Sequence, residues 1–141
     1  MSSVMEAIMS EKKEKSVMEY VATKKAPAAI GPYSQAVIAH GFLFASGQIP
    51  IVPETGAVVA GGIAEQTEQV CKNIGKLLKK AGIDYEHVIK TTCFLADMDD
   101  FAAFNSVYAK YFTSKPARSC VAVKQIPKGV LCEIEVTCTM K

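Results

Sequence analysis

Leu131-Cys132-Glu133-Ile134-Glu135-Val136-Thr137-Cys138-Thr139-Met140 alternates with a period of two. Cys132, Ile134, Val136, Cys138 and Met140 fall on one side, and Leu131, Glu133, Glu135, Thr137 and Thr139 on the other. The pattern predicts a strand with one face on an apolar core and the other left polar. Just upstream, residues 118–124 read as another strand, joined to the first by a short loop holding Pro127 and Gly129. Taken as a hairpin, the two strands keep their faces matched. Ser119, Val121 and Val123 then belong to the core side, and Arg118, Cys120, Ala122 and Lys124 share the face of Glu133 and Glu135.

Two helices precede this pair. Ile63, Thr67, Val70, Cys71, Ile74, Leu77, Leu78 and Ala81 recur at three/four spacing, Glu68 and Lys72 pair on the opposite face, and Gly82 stops the run. Asp97, Asp99 and Asp100 offer caps to a second helix whose stripe is Phe101, Phe104, Tyr108, Tyr111 and Phe112, ending at Lys115-Pro116. Residues 87–96 read as a buried strand and residues 16–23 as a first one. Residues 36–39 and 42–46 flank His40-Gly41 as a two-residue hairpin. Pro50, Pro53, Gly56, Gly61 and Gly62 mark a long loop. The order β, ββ, α, β, α, ββ gives a single sheet with two helices on one face, an α+β fold.

Composition bounds the function. The chain has 141 residues, 50% hydrophobic and 21% charged, which suits one globular domain. A net charge of +2 argues against a nucleic-acid surface, and no apolar run approaches the roughly 20 residues of a membrane span. Residues 1–16 read as a flexible N-terminal extension, with Val4, Met5, Ile8 and Met9 at helical spacing, and residues 17–141 as the domain. Glu6, Glu11, Glu14 and Glu19 near the start, with no arginine beside them, argue against a signal or transit peptide. Five cysteines without a CxxC motif read as reduced thiols, which places the protein in the cytoplasm. Two histidines and no lysine in a Schiff-base context predict neither metal nor cofactor. Arg118 is the single arginine among sixteen basic residues.

Three motifs carry a resemblance. They are Ala26-Pro27-Ala28-Ala29-Ile30-Gly31-Pro32-Tyr33-Ser34-Gln35-Ala36, then Ala45-Ser46-Gly47-Gln48-Ile49-Pro50, and Pro116-Ala117-Arg118-Ser119-Cys120-Val121 with Ile126-Pro127 and Glu133-Ile134-Glu135. In order and spacing they resemble the RidA (YjgF/YER057c/UK114) family over about residues 17–141. The resemblance implies a chorismate-mutase-like fold, assembled as a homotrimer with pockets between subunits. It implies hydrolysis of reactive enamines and imines, such as 2-aminoacrylate and 2-aminocrotonate, to 2-ketoacids and ammonia. It also implies that Arg118 binds the substrate carboxylate, that Glu133 orients water, and that Tyr33, Ser46, Gly47 and Cys120 line the pocket.

The residue chemistry is compatible. A guanidinium meets a carboxylate through two parallel hydrogen bonds that lysine cannot reproduce, and a carboxylate can take a proton from attacking water. The same residues also have plain readings: cross-strand charges on a solvated face, a turn at Ser46, packing at Tyr33, an inert thiol at Cys120. Two other functions remain open from sequence. One is ribonucleic-acid cleavage or translation inhibition, and the other a non-catalytic ketoacid-binding or chaperone-like module, for which Arg118 would suffice without Glu133.

Overall fold

The structure, a computed structural model, describes residues 17–141 and Val4. The expected extension over residues 1–16 and its helical spacing lie, Val4 apart, outside the described residues. Six strands form one sheet in the order β1-β2-β3-β6-β4-β5. They are β1 (Glu19–Val21), β2 (Ala36–Ala39), β3 (Phe42–Ala45), β4 (Val88–Leu95), β5 (Ala117–Ala122) and β6 (Cys132–Thr139), with α1 (Ile63–Lys80) after β3 and α2 (Phe101–Tyr111) after β4. The first strand is shorter than the residues 16–23 expected.

Local chemistry explains the elements. His40 and Gly41 both have positive φ (52° and 79°), the two-residue turn whose twist matches its strands. At the end of α1, Gly82 takes φ +83°, and Ile83 N–H reaches back to the Leu78 carbonyl at 3.0 Å, closing the helix. The stripe Val70, Cys71, Ile74, Leu77 and Leu78 is fully buried against Leu43, Leu95 and Ile134. Each such large aliphatic side chain contributes about 1.5–3 kcal/mol by leaving water. Phe104 and Tyr108 on α2 and Phe112 just past its end continue the layer, with the Tyr108 and Phe112 rings stacked at 4.4 Å.

The hairpin expected of the last two strands does not form. β5 runs parallel to β4, while β6 lies between β3 and β4, antiparallel to both. The reason is the crossover helix. A strand, a helix and a second strand close most readily as a right-handed parallel unit, so α2 delivers β5 beside β4 at the sheet edge. The α1 crossover spans a wider gap, which β6 fills, burying Cys132, Ile134, Val136 and Cys138 beneath the helices.

The face assignment of β5 changes with its partner. Arg118 pairs with Thr91 and Cys120 with Cys93, both fully buried on the helix side. Arg118, Cys120 and Ala122 therefore face the helices, whereas Ser119 and Val121 lie with Glu133 and Glu135 on the open face. Val121 is thus an open-face residue rather than the core residue its sequence pattern predicts, and that open face is itself partly apolar, with Tyr20, Phe42, Phe44 and Val121 exposed across it.

Candidate active site

Four of the six residues singled out from sequence meet in one pocket of about 600 Å³. Tyr33, Ser46, Gly47 and Glu133 line it, together with Ile49 and Ile51. β6 supplies Glu133, and the segment after β3 crosses beside it. Gln48 N–H donates to the Ile134 carbonyl at 2.8 Å, and Ile134 N–H donates to the Gln48 carbonyl at 3.1 Å. This bridge lays Gly47 against Glu133. A β-carbon on Gly47 would stand 2.8 Å from the carboxyl carbon and from Oε2 of Glu133, so only glycine permits the approach.

Glu133 is half-buried and has no ion-pair or hydrogen-bond partner for its carboxylate among the described residues. Burial first, and the neighbouring charge of Glu135 second, raise its pKa above the ordinary carboxylate value. The Ser46 hydroxyl donates to the Ser34 carbonyl at 2.6 Å, which leaves it free only as an acceptor. Tyr33 is exposed and stands at the rim.

Side chains that the sequence reading passed over hold the walls. The Gln35 amide is buried. It donates to the carbonyls of Pro27, Thr23 and Ala26 at 2.7, 3.0 and 3.3 Å, and accepts from Thr23 N–H at 2.6 Å. Asn73 on α1 donates to the carbonyls of Ile49 and Ile51 at 3.1 and 2.9 Å, and Gln66 accepts from Leu131 N–H at 2.7 Å. Asn73 and Gln66 are polar residues on the buried side of an apolar helix. That placement is the signal that could have found them.

Arg118 and Cys120 lie elsewhere. The Arg118 guanidinium donates to Asn105 Oδ1 at 2.7 Å and sits over the rings of Tyr108 (4.8 Å) and Phe101 (5.4 Å). Phe101, Asn105 and Tyr108 follow helical spacing, so one face of α2 orients the guanidinium. A shallower depression of about 430 Å³ opens there, lined by Asn105, Tyr108, Lys115, Pro116 and Arg118. Cys120 is partly buried beside Cys93, and burial raises its pKa while the Arg118 charge lowers it.

The Endoribonuclease L-PSP family profile matches residues 23–140. The chain is 48% identical over 120 residues to the human 2-iminobutanoate/2-iminopropanoate deaminase, covering 84% of this chain and 88% of that one. It is 50% identical over 123 residues to the chloroplastic Reactive Intermediate Deaminase A of Arabidopsis thaliana, covering 86% and 66%.

The chain belongs to the RidA family.

Among solved structures of that family, E. coli TdcF with bound serine superposes with a TM-score of 0.83 at 38% identity, covering 87% of this chain and 99% of the other. Yeast Mmf1 superposes at 0.85 with 46% identity, covering 88% and 99%. The RidA fold is thus the single sheet with two helices described above. No helix among the described residues is long and apolar enough to cross a membrane.

Proposed function

We propose that this chain hydrolyses 2-imino acids, and the enamines 2-aminoacrylate and 2-aminocrotonate in equilibrium with them, to 2-ketoacids and ammonia. The observation that carries the reading is Glu133: a half-buried, unpaired carboxylate over Gly47 in a pocket roomy enough for substrate and water. Water attacks the carbon of the protonated imine, C=NH2+, as Glu133 takes one water proton, giving a neutral tetrahedral amino alcohol. Glu133 then returns that proton to nitrogen, takes the hydroxyl proton as the C–N bond breaks, and passes it to the departing ammonia, leaving the ketoacid. The raised pKa suits a group that must both accept and return a proton. Tyr33, Ser46 and Gly47 shape the pocket, Arg118 holds the substrate carboxylate in a two-bonded fork, and Cys120 lies beside it.

Arg118 and Glu133 occupy opposite faces of one sheet, so a site that uses both draws them from neighbouring copies. A closed homotrimer satisfies this, and the apolar residues on the open face support such association. The deaminase names of the human and Arabidopsis relatives support the reaction.

The ribonuclease reading takes its support from the family description, yet Glu133 and Glu135 line the pocket against one cation, Lys128. That charge balance repels a phosphate backbone. We take the compartment to be the cytoplasm from the five free thiols, although the Arabidopsis relative is chloroplastic. The test generates 2-aminoacrylate or 2-aminocrotonate with a pyridoxal-phosphate dehydratase and follows ketoacid release. The added chain should speed it, and Glu133→Gln should bind ketoacid without doing so. A parent chain that binds ketoacid without accelerating release would make it a binding module.

A further inference from the structure

Cys93 on β4 and Cys120 on β5 stand directly opposite each other in a parallel pair, with both side chains on the helix side. Neighbouring strands lie about 4.7–4.9 Å apart, inside the Cα separation of about 4.4–6.8 Å that a disulfide spans. The Cys93 thiol donates to Thr91 Oγ1 at 3.8 Å, two residues back along the same face of β4. β5 is the edge of the sheet, tied on one side only, so it can shift to complete the bond geometry.

We propose that Cys93 and Cys120 form an oxidative modification site, in which a hydroperoxide converts the pair to a cross-strand disulfide. Cys120 reacts first because it alone of the five cysteines is not fully buried. Its sulfur takes one peroxide oxygen as the O–O bond breaks, giving a sulfenic acid, and the released hydroxide collects the thiol proton as water. The Cys93 sulfur then attacks the Cys120 sulfur. The S–S bond forms, the S–O bond breaks, and hydroxide leaves with the Cys93 proton as a second water. Two thiols lose two electrons, and the peroxide gains them.

The neighbouring cysteines are poorer partners. Cys132 is opposite Leu95, out of register with Cys93, which faces Ile134 on that side, and Cys71 is fully buried on α1. Arg118 favours the thiolate of both Cys93 and Cys120, while burial opposes it and holds Cys93 at about 12, so the reaction is slow and needs sustained oxidant. The inference does not depend on the reaction assigned to the pocket.

The test treats the full chain with hydrogen peroxide, blocks the remaining thiols by alkylation and digests with trypsin under non-reducing conditions. The expected product is a reducible link between peptides 91–110 and 119–124, at monomer mass on a non-reducing gel. Cys93→Val, a buried change away from the pocket, should remove the link and let Cys120 proceed to sulfinic acid. A parent protein that carries Cys120 to sulfinic acid without the link, links Cys120 to Cys71 or Cys132, or forms a covalent dimer would overturn the proposal.

Discussion

Replacing Gly47 by alanine tests the proposed role of Glu133 as general base more sharply than removing Glu133 does. The new β-carbon would lie 2.8 Å from both the carboxyl carbon and Oε2 of Glu133, and 3.1 Å from its Cγ. Carbon atoms settle at about 3.5–4.0 Å, so the carboxylate must retreat by roughly 0.7 Å or more. Because it is the far end of a flexible side chain, it can do so without disturbing the sheet, and stability should change by less than about 1 kcal/mol. Catalysis is less forgiving, since a misplacement of about 1 Å can cost roughly a hundredfold in rate. Gly47→Ala should therefore fold and assemble like the parent while kcat for 2-aminocrotonate hydrolysis falls about 10–100-fold. The assay couples a pyridoxal-phosphate dehydratase to ketoacid detection, with ketoacid affinity measured separately by calorimetry. A variant within twofold of the parent rate would refute the assignment of Glu133 as the group that handles the water.

Three other substitutions probe separate links. Glu135→Gln removes the second cause of the raised Glu133 pKa. The acid limb of kcat/KM, where activity falls as Glu133 becomes protonated, should then move to lower pH; an unmoved limb would mean that Glu133 is not the titrating base. Arg118→Lys keeps the charge but loses the planar fork, and kcat/KM should drop about a hundredfold with assembly intact, whereas a mere surface charge predicts near-parent activity. Gly75→Ala drives a β-carbon into the Tyr85 hydroxyl and breaks its 2.7 Å bond to the Cys71 carbonyl. It should destabilise the protein by about 1–3 kcal/mol in denaturant titrations at fixed protein concentration, and an unchanged midpoint would show that the helix yields there.

Periodicity made the helices and the core face of β6 legible, because 3.6- and 2-residue repeats record which side is dry. The His40-Gly41 turn was legible for a similar local reason. The partner of β5 was not. Its sequence carries no mark of whether it joins β6 by a short loop or β4 through α2, and that choice decides which face Arg118 occupies. The motifs containing Tyr33, Ser46, Gly47 and Glu133 pointed to residues that share a pocket, yet nothing local in them told of the bridge between Gln48 and Ile134 that brings two distant segments together. Asn105 escaped notice because its task is to orient Arg118, which appears only once α2 packs over β5.

The central claim is a shared site with Arg118 from one copy and Glu133 from its neighbour, and subunit exchange tests it most directly. Arg118→Ala and Glu133→Gln should each be inactive alone. Dissociated, mixed in equal amounts and reassembled as cyclic trimers, they should form mixed assemblies in about three of four cases, each with one intact site in three. The mixture should therefore regain about a quarter of the parent activity toward 2-aminocrotonate. A fully exchanged mixture as inactive as either variant would contradict the account.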